Sequence, residues 1–66
     1  MKNSIKVHRA INDLTQEELA NKVLVSRQTI NAIEANKYVP STVLALRIAR
    51  VFNKQLEEIF QLEDNE

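Results

Sequence analysis

Sixty-six residues, 44% of them hydrophobic, suffice for one small domain with a modest core and are too few for two. The chain has no cysteine and one histidine, which excludes disulfides and thiolate metal sites, so neither metal nor cofactor is expected. Net charge is zero, yet residues 2–54 hold all nine basic residues against only four acidic ones, a local net of +5.

The other five acidic residues fall between Glu57 and Glu66. This polarity reads as a basic face and an acidic pole. The plainer alternative is a charged helix surface followed by a solubilising tail. No apolar run approaches the roughly 18 residues that a membrane span needs. The opening Met1-Lys2-Asn3-Ser4-Ile5 lacks the apolar stretch of a secretory signal, so a cytoplasmic protein without membrane contact is expected.

Glycine is absent and Pro40 is the only proline, so breaks must be read from caps and asparagines. No sustained strand-like alternation occurs, and the fold class is all-α or nearly so. A first helix is expected from about Asn3 to Ile11, with Ile5, His8 and Ile11 inward. It stops at Asn12-Asp13, residue types that tolerate left-handed backbone. Thr15-Gln16-Glu17-Glu18 is a capping box opening a second helix, whose inner face is Leu19, Ala20 and Val23.

The chain turns at Leu24-Val25. Ser26 caps a third helix reaching about Ala35, with Ile30 and Ile33 inward. Residues 36–40 form a loop, since proline pushes the residue before it out of helix. Ser41 caps a fourth helix with Leu44, Ala45, Ile48, Ala49 and Phe52 inside, and Asn53 ends it. Leu56, Ile59 and Phe60 mark a short fifth helix, after which residues 61–66 trail off as an acidic tail. Agreement between caps, stops and apolar spacing supports this map.

Two helices within residues 16–35 are joined by only about three residues. Ala20 suits a close approach of their axes, Val25 plugs the angle between them, and Ile30 and Ile33 anchor the second helix. These are the requirements of a helix-turn-helix. The outer face then left on the third helix is Ser26, Arg27, Gln28, Thr29, Asn31 and Ala32. Arginine pairs with guanine O6 and N7, glutamine and asparagine with adenine N6 and N7, and threonine and alanine methyls touch the thymine methyl. A merely solvated helix more commonly carries Glu and Lys there. Each residue also has a local reading: Ser26 is a cap, and Thr29 closes its own turn.

The run from Gln16 to Glu34, with Val25-Ser26-Arg27-Gln28-Thr29-Ile30 at its centre, resembles the Cro/C1-type (Xre) helix-turn-helix family. Asn36-Lys37-Tyr38 and Pro40-Ser41 extend the likeness, which covers Ile5 to Phe60. In compactness the chain is similar to the small stand-alone repressors of Gram-positive bacteria. The resemblance implies a compact five-helix, lambda-repressor-like DNA-binding domain that pairs as a homodimer on a palindromic operator in double-stranded DNA. It further implies that Arg27, Gln28 and Asn31 read bases with Ala32 against a base edge. Gln16, Asn36, Lys37 and Tyr38 would hold the DNA backbone. Read on their own chemistry, Ser26 and Thr29 are further backbone contacts, and Tyr38 has the alternative of stacking within its loop. The sequence departs from the family at Leu24, where many members have glycine. A leucine there costs about 1–2 kcal/mol if the backbone is left-handed.

Arg9 and Glu34 match an arginine–glutamate pair that bridges the first and third helices in such proteins, and both are read as structural. His8 is a core-edge residue. Arg47, Arg50 and Lys54 fall on the outer face of the fourth helix and are read as solvated. Residues 56–66 are more apolar at Leu56, Ile59, Phe60 and Leu62 than a chain end needs. Some of these belong to the core, and the surplus, taken as Phe60 and Leu62, is a candidate dimer surface. A rival function is an antitoxin-like interaction module bound to an unidentified protein partner, for which only the short segment after Phe60 is available. An enzyme is the poorest reading, because no nucleophile–base pairing, carboxylate pair or metal cluster emerges.

Overall fold

Caps and stops divide the chain as their chemistry dictates. The computed structural model describes residues 1–66 and contains β1 (Lys2–Asn3), α1 (Ile5–Ile11), α2 (Gln16–Val23), α3 (Arg27–Glu34), α4 (Thr42–Phe52), α5 (Leu56–Ile59) and β2 (Phe60–Gln61). Thr15 and Glu18 close a reciprocal capping box at the start of α2, at 3.0 and 2.9 Å. Ser26 Oγ accepts from the Thr29 N–H, and Ser41 Oγ from the Leu44 N–H, each at 3.2 Å.

The ends of α1, α2, α3 and α4 share one device. Asp13, Leu24, Asn36 and Asn53 all have positive φ, of 55°, 65°, 60° and 54°. In each case the next N–H donates five residues back: Leu14 to Arg9, Val25 to Ala20, Lys37 to Ala32 and Lys54 to Ala49. This left-handed closure satisfies carbonyls that a helix end would otherwise leave without partners. Glycine usually takes that position, and this chain fills it with three Asn or Asp residues and one leucine.

All five helices contribute to one core. Ile5 of α1, Leu19 and Val23 of α2, Ile30 and Ile33 of α3, Ile48 of α4 and Ile59 of α5 are fully buried. Each such side chain contributes about 1.5–3 kcal/mol on leaving water. Ala20 is also buried, as its place between two close helices requires. His8 packs its ring 5.5 Å from that of Phe52 at the core edge.

Four expectations are corrected. The first helix begins at Ile5 rather than Asn3, because Lys2 and Asn3 pair antiparallel with Gln61 and Phe60. Two-residue strands are too short to leave a periodic signal. Ile11 is 71% exposed rather than inward, since α1 ends on it and the chain turns away. The last residues do not simply trail off: Gln61 belongs to the ribbon, and a Glu66 carboxylate oxygen accepts from the Met1 amino group at 3.0 Å.

The fourth correction concerns the expected dimer surface. Ile59 and Phe60 are buried within the single chain, where the β1–β2 ribbon draws Phe60 over the core. Leu56 is half-buried and only Leu62 is well exposed.

Candidate nucleic-acid interface

The α2–α3 pair carries the residues singled out for DNA. Their connection is residues 24–26, with Leu24 left-handed at φ 65° and ψ 41° and Ser26 extended as the α3 cap. Val25 is half-buried and packs against the core, filling the angle as expected. Ile30 and Ile33 fix one side of α3 in the core, which leaves Arg27, Gln28 and Asn31 exposed on the other. Thr29 and Ala32 are half-buried at the margin of that face.

One end of the face meets the loop after α3. Ser26, Gln28, Thr29, Ala32 and Tyr38 line a shallow, open hollow, so Tyr38 stands beside the outer face of α3. Ser26 Oγ and Thr29 Oγ1 lie 3.0 Å apart and share a hydrogen bond, as the local reading of both residues expects. Lys37 is exposed at the same loop. Asn36 is exposed too, but it has structural duties. Its left-handed backbone closes α3, and its Oδ1 accepts from Asn3 Nδ2 at 3.1 Å.

The other end of the face is tied to α1 and α2 by polar side chains. Arg9 Nε and Nη2 donate to the two Glu34 carboxylate oxygens at 2.6 and 3.1 Å, a bidentate pair. Arg9 Nη1 donates to the Leu14 carbonyl at 2.9 Å. The two side chains are only 15% and 9% exposed. The hydrogen bond that Arg9 donates to Glu34 holds its guanidinium even more firmly protonated than usual, against some desolvation. Gln16 Nε2 joins this pair, donating to Glu34 Oε1 at 3.2 Å and to Asn31 Oδ1 at 3.3 Å. Gln16, expected as a DNA-backbone contact, therefore has its amide nitrogen directed to these two residues in the free protein.

Sequence reasoning missed two anchors. Asn3 Nδ2 donates to the Ile33 carbonyl at 3.0 Å, and its Oδ1 accepts from the Ile5 N–H, so one side chain secures the ends of two helices. Leu14 supplies Arg9 with its third acceptor through the backbone. An asparagine before a helix is a readable cap signal, but a backbone carbonyl has no signature in the sequence.

A family model described as helix-turn-helix matches residues 5–59, which is most of the chain. The chain belongs to the Cro/C1-type (Xre) helix-turn-helix family. This is a family of DNA-binding transcriptional regulators, not of enzymes. Among relatives, an uncharacterised HTH-type transcriptional regulator of Methanocaldococcus jannaschii is 56% identical over 66 residues, covering all of both chains. Another from Archaeoglobus fulgidus is 50% identical over 66 residues, spanning 100% of this chain and 94% of the relative. The HTH-type regulator YgzD of Bacillus subtilis is 47% identical over 64 residues, 97% of each chain. Membership accounts for the five-helix frame around α2 and α3, with the ribbon as a small addition. No helix is long and apolar enough to cross a membrane.

Proposed function

We propose that this protein is a cytoplasmic, homodimeric repressor that reads a palindromic operator in the major groove of double-stranded DNA. The observation that carries the reading is the exposed face of α3. Arg27, Gln28 and Asn31 project from a helix whose opposite side is locked in the core by Ile30 and Ile33. A rigid mount of this kind holds hydrogen-bonding groups in register with base edges. Ala32 lies against a base edge, and Ser26, Thr29, Asn36, Lys37 and Tyr38 meet the phosphates on either side. Two copies would set their α3 helices in successive major-groove turns about 34 Å apart.

The pairing surface is proposed around Leu56 and Leu62. An apolar groove lined by Met1, Val39, Pro40, Ala45, Leu56 and Phe60 opens beside it. A basic body and an acidic end let phosphate neutralisation supply much of the affinity while keeping the net charge at zero.

Selection of bound duplexes from a random DNA pool tests the reading. An inverted repeat with half-sites one helical turn apart is the expected outcome. Gln28→Ala is expected to weaken binding by about 1–3 kcal/mol and to relax choice at one base position. Enrichment of no sequence, or a preference untouched by that substitution, refutes the assignment.

A further inference from the structure

The hydrogen bonds from Arg9 to Asn31 have a direction fixed by their chemistry. A guanidinium only donates and an ionised carboxylate only accepts. Glu34 must therefore receive from both neighbours, so Gln16 turns its amide nitrogen, not its oxygen, toward Glu34 Oε1. The same nitrogen reaches Asn31 Oδ1. The Gln16 amide nitrogen is thus held between two acceptors inside the protein.

The consequence falls on Asn31. Its oxygen is drawn back toward α2, and its Nδ2 amino group has no partner within the protein on an otherwise exposed side chain. A free asparagine can turn its amide over and exchange donor for acceptor. Here that turn would set two amino groups, Gln16 Nε2 and Asn31 Nδ2, against each other. The charge-assisted bond to Glu34 keeps Gln16 from turning with it.

We infer that Gln16 is a positioning residue for base recognition, fixing the Asn31 amide so that it meets the groove with its N–H donors. The inference rests on the DNA-reading function proposed above. A donor at this place donates to the purine N7 or guanine O6 and is opposed by the cytosine N4 amino group. Gln16 thus enforces the exclusion of cytosine at the base Asn31 faces, although it touches no base. A phosphate contact at Gln16 would instead affect all sequences alike.

Parallel selections from one random pool, using the wild type, Asn31→Ala, Gln16→Met and Gln16→Lys, test the inference. Asn31→Ala identifies its base as the column that loses preference. Gln16→Met keeps the side-chain length without the amide and should admit cytosine in that column, reducing a discrimination of about 5- to 150-fold to about twofold or less. Gln16→Lys retains donors for both Glu34 and Asn31 and should restore the exclusion. Circular dichroism melts accompany each variant, and the lysine variant tests the same hold with the donors kept. A wild-type pool without any motif overturns the DNA-reading function and the inference with it. A wild-type motif combined with continued exclusion of cytosine in Gln16→Met, or with uniform weakening alone, overturns the inference and leaves that function standing. An Asn31→Ala selection that loses no column also overturns it.

Discussion

Leu24 is the position where local backbone energetics and the fold disagree, and replacing it by glycine measures the disagreement. The residue has φ 65° and ψ 41°, a left-handed conformation that costs an L-residue with a Cβ about 1–2 kcal/mol. Leu24→Gly removes that cost. Glycine's larger freedom in the unfolded chain takes back about 0.5–1 kcal/mol. The leucine side chain is 76% exposed, so deleting it sacrifices little burial. The expected balance is a stabilisation of about 0.5–1 kcal/mol, or roughly 3–6 °C in melting temperature for a domain of this size. Thermal unfolding followed by circular dichroism at fixed protein concentration is the assay, because self-association makes a melting point concentration-dependent. Leu24→Ala keeps a Cβ and should shift the midpoint little. A glycine variant that melts below the wild type, or no higher than the alanine variant, refutes the claim that backbone strain resides at this turn.

Arg9→Met should destabilise the protein by about 3 kcal/mol, the low end for stranding one partner of a buried pair, since an edge of each side chain remains in water; chemical denaturation measures it. The hydrogen bonds from Thr15 hold the Glu18 carboxyl below the usual carboxylate range. Its stabilising effect is therefore present above the unfolded value, near pH 4.3, and is lost as pH falls through the lower folded value. The melting-temperature gap between wild type and Glu18→Ala should thus be open at neutral pH and close in strong acid; a gap that persists there contradicts the capping role. Lys37→Ala should weaken all DNA sequences about equally and reduce the slope of log affinity against log salt by about one. A changed base preference in that variant would show that Lys37 does not act on phosphate.

Much of this molecule was legible because local chemistry repeats along it. Thr15, Ser26 and Ser41 announce helix starts, and their hydroxyls accept the expected N–H groups. The inward residues of α2, α3 and α4 follow from a period of 3.6 and are buried as expected. The same period leaves Arg27, Gln28 and Asn31 together on one outer face. Arg9 and Glu34 came from likeness to a family rather than from spacing, and they form the bidentate pair.

Contacts between distant segments had no such local signal. Lys2–Asn3 and Phe60–Gln61 are nearly sixty residues apart, and only the docking of α5 onto the core brings them into register. That pairing decides that Phe60 is core rather than surface, which apolar character alone could not. It also moves the start of α1 and turns the chain end back toward Met1. The Gln16 amide is the functional counterpart. Sequence placed a polar residue at the start of α2, where a phosphate contact is a natural reading. The packing of α1, α2 and α3 put Glu34 and Asn31 within its reach, and an acceptor-only carboxylate then decided which way it points. Sequence by itself determined which helices form, their inner faces and the exposed polar face of α3, since these depend on neighbours within one or two turns. Tertiary structure decided the ribbon, the burial of Ile59 and Phe60, and the direction of the Arg9–Glu34–Gln16–Asn31 chain, because each joins groups that only the folded core brings together.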